Sequence, residues 1–297
     1  MRPLLLVTAA HDIASHEDTG VAGNKPEVRK RLIVNLLQSR MPVEYVAAAE
    51  RSLALAEQVQ DAAMLRFFET AWTRFAKERA KKPNAHLDCF TLGNDETFVS
   101  AFHAPRMDGV QAPTRGVLGQ ACFYGCDRET PITPHTLPAL LWDLAVTRRA
   151  ADAVLQGEAR VAYALITHPG HHAGPSCFGG FCYVNHAALA ARLLQRRFAR
   201  VAVVDVDYHA GNGTMAIFYD DASVFFASLH ADPEFEYPFN AGFASQIGGP
   251  KALGTTVRAF PPPPGVAGRA ANTTCSLTFR WPAARTGGAT RLRSSVS

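Results

Sequence analysis

The sequence predicts an α/β fold of three layers, a mainly parallel sheet with helices on both faces. Three observations predict it. Short apolar, β-branched runs occur at residues 160–167, 201–206 and 225–229; helical sequence separates the first two; and polar, chemistry-bearing residues follow each run directly. Parallel strands buried on both faces read as continuous apolar runs and need crossover helices between them. In open sheets of this kind, ligands gather beyond the carboxyl ends of the strands.

Taken in order, residues 3–10, with Thr8 inside an apolar run, follow a single Arg and are too short to cross a bilayer, so they read as a strand and not as a membrane span or secretory signal. From 43 to 82, Val46, Leu53, Leu55, Val59, Met64, Phe67, Phe68 and Trp72 recur among charges, the pattern of one or two amphipathic helices. Residues 81–125 mix Pro, Gly, Asp and aromatics without a sustained period and read as a long irregular loop with short strands. Helical sequence returns at 136–156, with Thr and Pro at its start and Gly157 at its end. Asn185 is placed to cap a helix over 186–197. The run Pro261-Pro262-Pro263-Pro264-Gly265 then marks a change of composition. Residues 1–265 are expected to form one domain. Residues 266–297, rich in Arg, Ala, Thr and Gly and without any acid or Lys, read as a disordered or non-native tail with the look of a shifted reading frame, leaving the C-terminal part of the fold incomplete.

Composition narrows the function. At 47% hydrophobic and 19% charged, 297 residues can bury a large core. Six Cys without C-x-x-C spacing suggest reduced thiols and a cytoplasmic protein. The net charge of +4 does not indicate a nucleic-acid partner: Lys251, Arg258, Arg269, Arg280, Arg285, Arg291 and Arg293 lie after the last acid, Glu236, and the preceding residues hold 23 basic against 26 acidic side chains.

Chemistry concentrates in four segments. In Asp205-Val206-Asp207-Tyr208-His209, an extended strand would put Asp205, Asp207 and His209 on one face, a donor set suited to a divalent ion of the Zn²⁺ or Fe²⁺ type. The plainer alternative is that Asp205 caps a helix or pairs with an Arg, and that His209 bonds a carbonyl. His168-Pro169-Gly170-His171-His172-Ala173 places two adjacent imidazoles on a tight loop, where they can serve as a proton-transfer pair. In Gly179-Gly180-Phe181-Cys182-Tyr183-Val184-Asn185 the glycines allow close backbone approach, while Cys182 reads as a packed thiol, not a nucleophile. Ser228-Leu229-His230 ends the third run, and His230 by itself reads as structural.

Together, HPGHHA, GGFCYVN, DVDYHAGNGT and SLH resemble the histone deacetylase and acetylpolyamine amidohydrolase family in order and spacing. Asn24-Lys25-Pro26-Glu27-Val28-Arg29 looks like a degenerate form of its opening motif. Asp232-Pro233 followed by Glu236-Tyr237-Pro238-Phe239 looks more like the acetylpolyamine amidohydrolases than the nuclear deacetylases. The resemblance implies a zinc-dependent amide hydrolase that removes acetyl groups from acetylated polyamines or acetyl-lysine. It implies zinc ligands at Asp207 and His209; His171 and His172 on the metal-bound water, with His172 as general base; and Asp205 and Asn212 as their orienting partners. Asp127 at the rim, Phe181 and Tyr237 would contact substrate. Asp205 and Ser228, with the carbonyls of Asp207, His209 and Leu229, look like the family's potassium site. A homodimer is compatible with the resemblance; a membrane or specific nucleic-acid partner is not expected.

The family also takes a third ligand, an Asp, and an oxyanion-stabilising Tyr from downstream of the SLH segment. After Glu236 this sequence has no Asp or Glu, and after Tyr237 no Tyr. The expectation is one zinc at an incomplete site and impaired catalysis. Two other readings stand beside it, an inactive fragment or non-catalytic binding protein, and an arginase-like manganese hydrolase. The latter needs more Asp ligands than a single D-x-D-x-H provides.

Overall fold

Strand β1 (Arg2–Ala9) lies between β2 (Val43–Val46) and β3 (Ala159–Leu165), and all three run parallel. This computed structural model describes residues 2–9, 26–81, 88–91, 97–100, 112–113 and 115–259. The expected tail 266–297, the polyproline run and Asn24-Lys25 of the opening motif lie outside them. The chain forms two compact units, Met1–Ala199 and Arg200–Ser297, and each is described by itself.

In the first unit Leu6 is in register with Val43 and Tyr163, and Thr8 with Tyr45 and Leu165. Side chains alternate across a strand, so β1 presents two apolar faces. Leu6 and Leu165 pack with Ile33, Val34 and Leu37 of helix α1 (Pro26–Leu37). On the opposite face Leu5 and Val7 pack with Val146, Ala150 and Ala153. Those three belong to α4 (Thr136–Leu155), which follows α2 (Ala62–Lys81) and α3 (Val117–Tyr124) and precedes α5 (His186–Leu194). The result is helix, sheet, helix, with burial of each Leu contributing about 1.5–3 kcal/mol. A second core is aromatic: Phe67 and Phe68 of α2 meet Tyr124, Phe178 and Tyr183 at ring separations of 5.0–6.2 Å, and Phe75 stacks on Phe98 at 4.3 Å.

Several expectations are corrected. Residues 43–46 are a strand; Val43, Glu44, Tyr45 and Val46 pair with β1, and the helical period begins only at Ala62, after a 3-10 turn at Leu53–Gln58. Helix α1 has no assigned element in the sequence reading because its charged residues interrupt the apolar pattern and leave Val28, Leu32 and Leu36 exposed. Helix α3 lies inside the stretch read as irregular, and α5 stops at Leu194.

The second unit has β4 (Val201–Asp205), β5 (Val224–Leu229) and β6 (Thr256–Ala259), parallel and in that order. Met215 of α6 (Asn212–Phe218) packs with Phe226, Ala241, Val203 and Tyr219 on one face. The other face is open among the described residues: Val204, paired with Ala227, is 68% exposed, and Leu229 is 54% exposed. The α/β class holds in both units, with helices on both sheet faces in the first and on one in the second. No helix among the described residues is long and apolar enough to cross a membrane.

Candidate active site

His171 and His172 are the two central residues of a turn closed by the bond from Ala173 N to Gly170 O, 3.1 Å. Their ring centroids are 3.9 Å apart, and both side chains are buried. The turn is pinned at each end. Gly170 N donates to Cys182 Sγ at 3.0 Å, and Asn185 Nδ2 donates to Ala173 O at 3.0 Å. Gly170 has φ +104°, and a Cβ there would stand 2.7 Å from Val184 O, so this position requires glycine on both counts. Asn185 also caps α5 as expected, its Oδ1 accepting from Ala188 N at 3.0 Å. Gln60 uses its whole amide here, donating to Gly174 O and Tyr183 O and accepting from Asn185 N.

Phe181 has φ +65°, a conformation a bulky residue adopts only when its surroundings hold it. Those surroundings are Thr130 Oγ1, which accepts from Phe181 N at 2.9 Å, and Asp127 Oδ2, which accepts from Gly180 N at 2.5 Å. Asp127 Oδ1 accepts from Glu129 N and from Thr130 Oγ1, each at 3.0 Å. The expected rim carboxylate thus has both oxygens engaged by the chain and holds the backbone at Phe181, a residue that is 37% exposed.

In the second unit, the extended-strand argument for Asp205, Asp207 and His209 does not hold. Strand β4 ends at Asp205, and the chain then bends, each Asp capping the amide two residues on: Asp205 Oδ1 accepts from Asp207 N at 3.1 Å, and Asp207 Oδ1 from His209 N at 2.8 Å. Short carboxylates compete in this way for backbone donors. The Asp207 and His209 side chains still lie side by side, with Nδ1 3.6 Å from Oδ1, and both are partly exposed. Tyr237 stands edge-on to His209, the rings 6.0 Å apart. Asn212 is the first residue of α6. Asp205 is in register with Ser228, as a shared ion site needs, while Ser228 Oγ is bonded at 2.6 Å to the Nδ1 of His230. His230 is buried and bonded also to Gly242 O.

Asp207 and His209 offer two donors. A catalytic zinc takes three protein ligands and a water, and no group of three His, Cys, Asp or Glu side chains among the described residues could hold a metal. The donor set for the implied zinc is incomplete here.

The sequence reading missed Asp143. Its carboxylate is buried on α4 and bonded to His168. Burial alone would raise this carboxyl, but the hydrogen bond and charge of His168, with the charge of Lys30, outweigh it and hold the group well below the usual carboxylate range. His186, buried beside Thr147, is pushed down to about 4, chiefly by burial. A lone Asp on the apolar face of a helix was the signal available in the sequence.

The sequence model of the histone deacetylase domain matches residues 25–277. The chain is 39% identical over 214 residues to the acetylpolyamine amidohydrolase of Mycoplana ramosa, covering 72% of this chain and 58% of that protein. It is 40% identical over 195 residues to acetylpolyamine amidohydrolase 1 of Pseudomonas aeruginosa, covering 64% and 51%. The structure of the acetylpolyamine aminohydrolase from Burkholderia pseudomallei superposes with a TM-score of 0.71 at 32% identity, over 87% of this chain and 72% of that one. The chain thus spans little more than half the length of these two curated relatives.

Proposed function

The chain belongs to the histone deacetylase domain family, and from that premise we propose an amidohydrolase site that removes acetyl groups from acetylated polyamines or acetyl-lysine, working at reduced rate in this chain. The observation that carries the reading is the pinned turn Gly170–Ala173, which presents two imidazoles at fixed geometry. His172 takes the proton of the attacking water and returns it to the leaving amine, and His171 holds that water; imidazole suits both steps because its pKa lies near neutrality. Asp205 and Asn212 keep orienting roles. Phe181 and Tyr237 contact the alkyl chain, and Asp127 adds to its hold on Phe181 a contact to the substrate's amide or ammonium group. Asp207 and His209 would be two of the ligands to a zinc, one short of the set a catalytic zinc takes. Asp205 and Ser228, with the carbonyls of Asp207, His209 and Leu229, are a potassium site. Residues 1–265 act as the catalytic domain, in a cytoplasmic protein.

The reduced rate results from the missing oxyanion donor, worth on the order of 10²–10³ in rate, together with the missing ligand. The incomplete donor set also favours a second reading, a non-catalytic binding protein. Assay with acetylputrescine and an acetyl-lysine peptide under excess zinc separates them. The expected result is slow hydrolysis abolished by His172→Ala. Turnover within about tenfold of an intact relative overturns the impairment, and no His172-dependent turnover at all leaves the binding protein. Zinc retained after dialysis should fall in Asp207→Ala and in His209→Ala but not in Cys182→Ser; equal retention in all three removes the ligand assignment.

A further inference from the structure

Asp143 has no part in the roles above, yet it is a charge buried to 1% exposure. Its Oδ1 accepts from Thr167 N at 2.7 Å, and its Oδ2 accepts from His168 N at 3.1 Å and from His168 Nδ1 at 2.9 Å. Lys30 of α1 stands 4.0 Å from Oδ1 and donates at 2.6 Å to Thr167 Oγ1. Thr147 Oγ1, which meets His186 Nδ1 at 3.3 Å, donates to the Asp143 carbonyl at 2.8 Å.

Burying a carboxylate costs several kcal/mol unless donors surround it, and an apolar residue would pack α4 without that cost. What the charge adds is direction. All three of its donors belong to Thr167 and His168, where the chain leaves β3 for the imidazole turn. Pro169 comes next with a fixed φ, so the orientation set at His168 is passed on to Gly170. From there the turn is held by Cys182 and Asn185.

We propose that Asp143 is a positioning residue for His171 and His172, acting through the Thr167–His168 backbone, with Lys30 as its counter-charge. The inference rests on the reading that this imidazole pair carries the proton. The nearly unchanged shape of Asp143→Asn supplies the test, because an amide nitrogen in place of one oxygen leaves one of the two backbone donors facing another donor. In folded Asp143→Asn, the Thr167 and His168 amides should exchange with solvent at least about tenfold faster than in the wild type while β1 amides are unchanged. The ring-proton resonances of His171 and His172 should move. A role confined to packing predicts wild-type resonances. Folded Asp143→Asn with unmoved His171 and His172 signals overturns the proposal. If that variant does not fold, Lys30→Met, which keeps the carboxylate's own hydrogen bonds, must move the same two resonances or the proposal fails. These signals do not depend on turnover, so an inactive wild-type chain counts against the hydrolase reading alone.

Discussion

Strand β1 of the first unit is covered on both faces, by α1 through Leu6 and by α4 through Leu5 and Val7. Strand β4 of the second unit is covered through Val203, while Val204 on its other face is 68% exposed. The same contrast marks the candidate site side chains. His171 and His172 are buried, on a turn anchored by residues 12 positions away in sequence, whereas Asp207 is exposed and His209 partly so, in a bend whose amides are capped by carboxylates two positions away. Two motifs of equal clarity in the sequence are therefore held by unequal means. One turn inherits the stability of a core; the other, tied besides its local bonds by Ala231 N donating to Tyr208 O at 2.8 Å, stands at a more exposed strand end.

The largest effect should separate the two sheets directly. Leu6→Ala is expected to cost about 2–5 kcal/mol by cavity formation, and Val204→Ala less than about 0.5 kcal/mol. Denaturant midpoints of the two variants check this, and similar losses would break the comparison.

Acid should reach the first unit through His186. Its folded value is about 4 against 6.5 for the free side chain, so between those values the unfolded chain binds a proton that the folded chain refuses. Stability therefore falls as pH drops from 6.5 toward 4, by about 3 kcal/mol in all. Asp143, depressed in the folded state, contributes above the ordinary carboxylate value and loses its contribution only at lower pH. Urea titrations across this range should show the loss in the wild type, and His186→Gln should flatten it.

A smaller change sharpens the account of the pinned turn. Asn185→Ala removes both the α5 cap and the bond to Ala173 O and should cost about 1–2 kcal/mol. Asn185→Ser keeps a capping oxygen and loses the Nδ2 donor, so it should fall between Ala and the wild type in thermal unfolding; equal losses would deny the turn its anchor.

The smallest effect belongs to the surface. Arg149 bridges Glu44 of β2 and Glu158, and these bonds raise its pKa, that from Glu44 most. All three side chains are partly exposed, so Arg149→Met should cost under about 1 kcal/mol, and less at high salt. A larger loss would mean that the edge of the first sheet depends on charge and not on its core.

Residue pattern alone determined much of this protein. The apolar runs at 160–167, 201–206 and 225–229 hold strands β3, β4 and β5, with ends that differ by one or two residues, Asn185 caps its helix, and the four motifs identify the family, because hydrophobic periodicity, capping chemistry and motif order are properties of neighbouring residues. The strand at Val43–Val46 was hidden, since four residues carry little period and its partner β1 lies over 30 positions earlier. The alternation rule failed beyond Asp205 because carboxylate-to-amide bonds bent the chain out of the strand. Which acid carries the imidazole turn was settled by the packing of distant elements. Asp143 is 24 residues from Thr167 in sequence, and it becomes the partner because α4 packs on β1 and β3 and brings a buried carboxylate to the end of the strand, where the backbone N–H groups of Thr167 and His168 meet it.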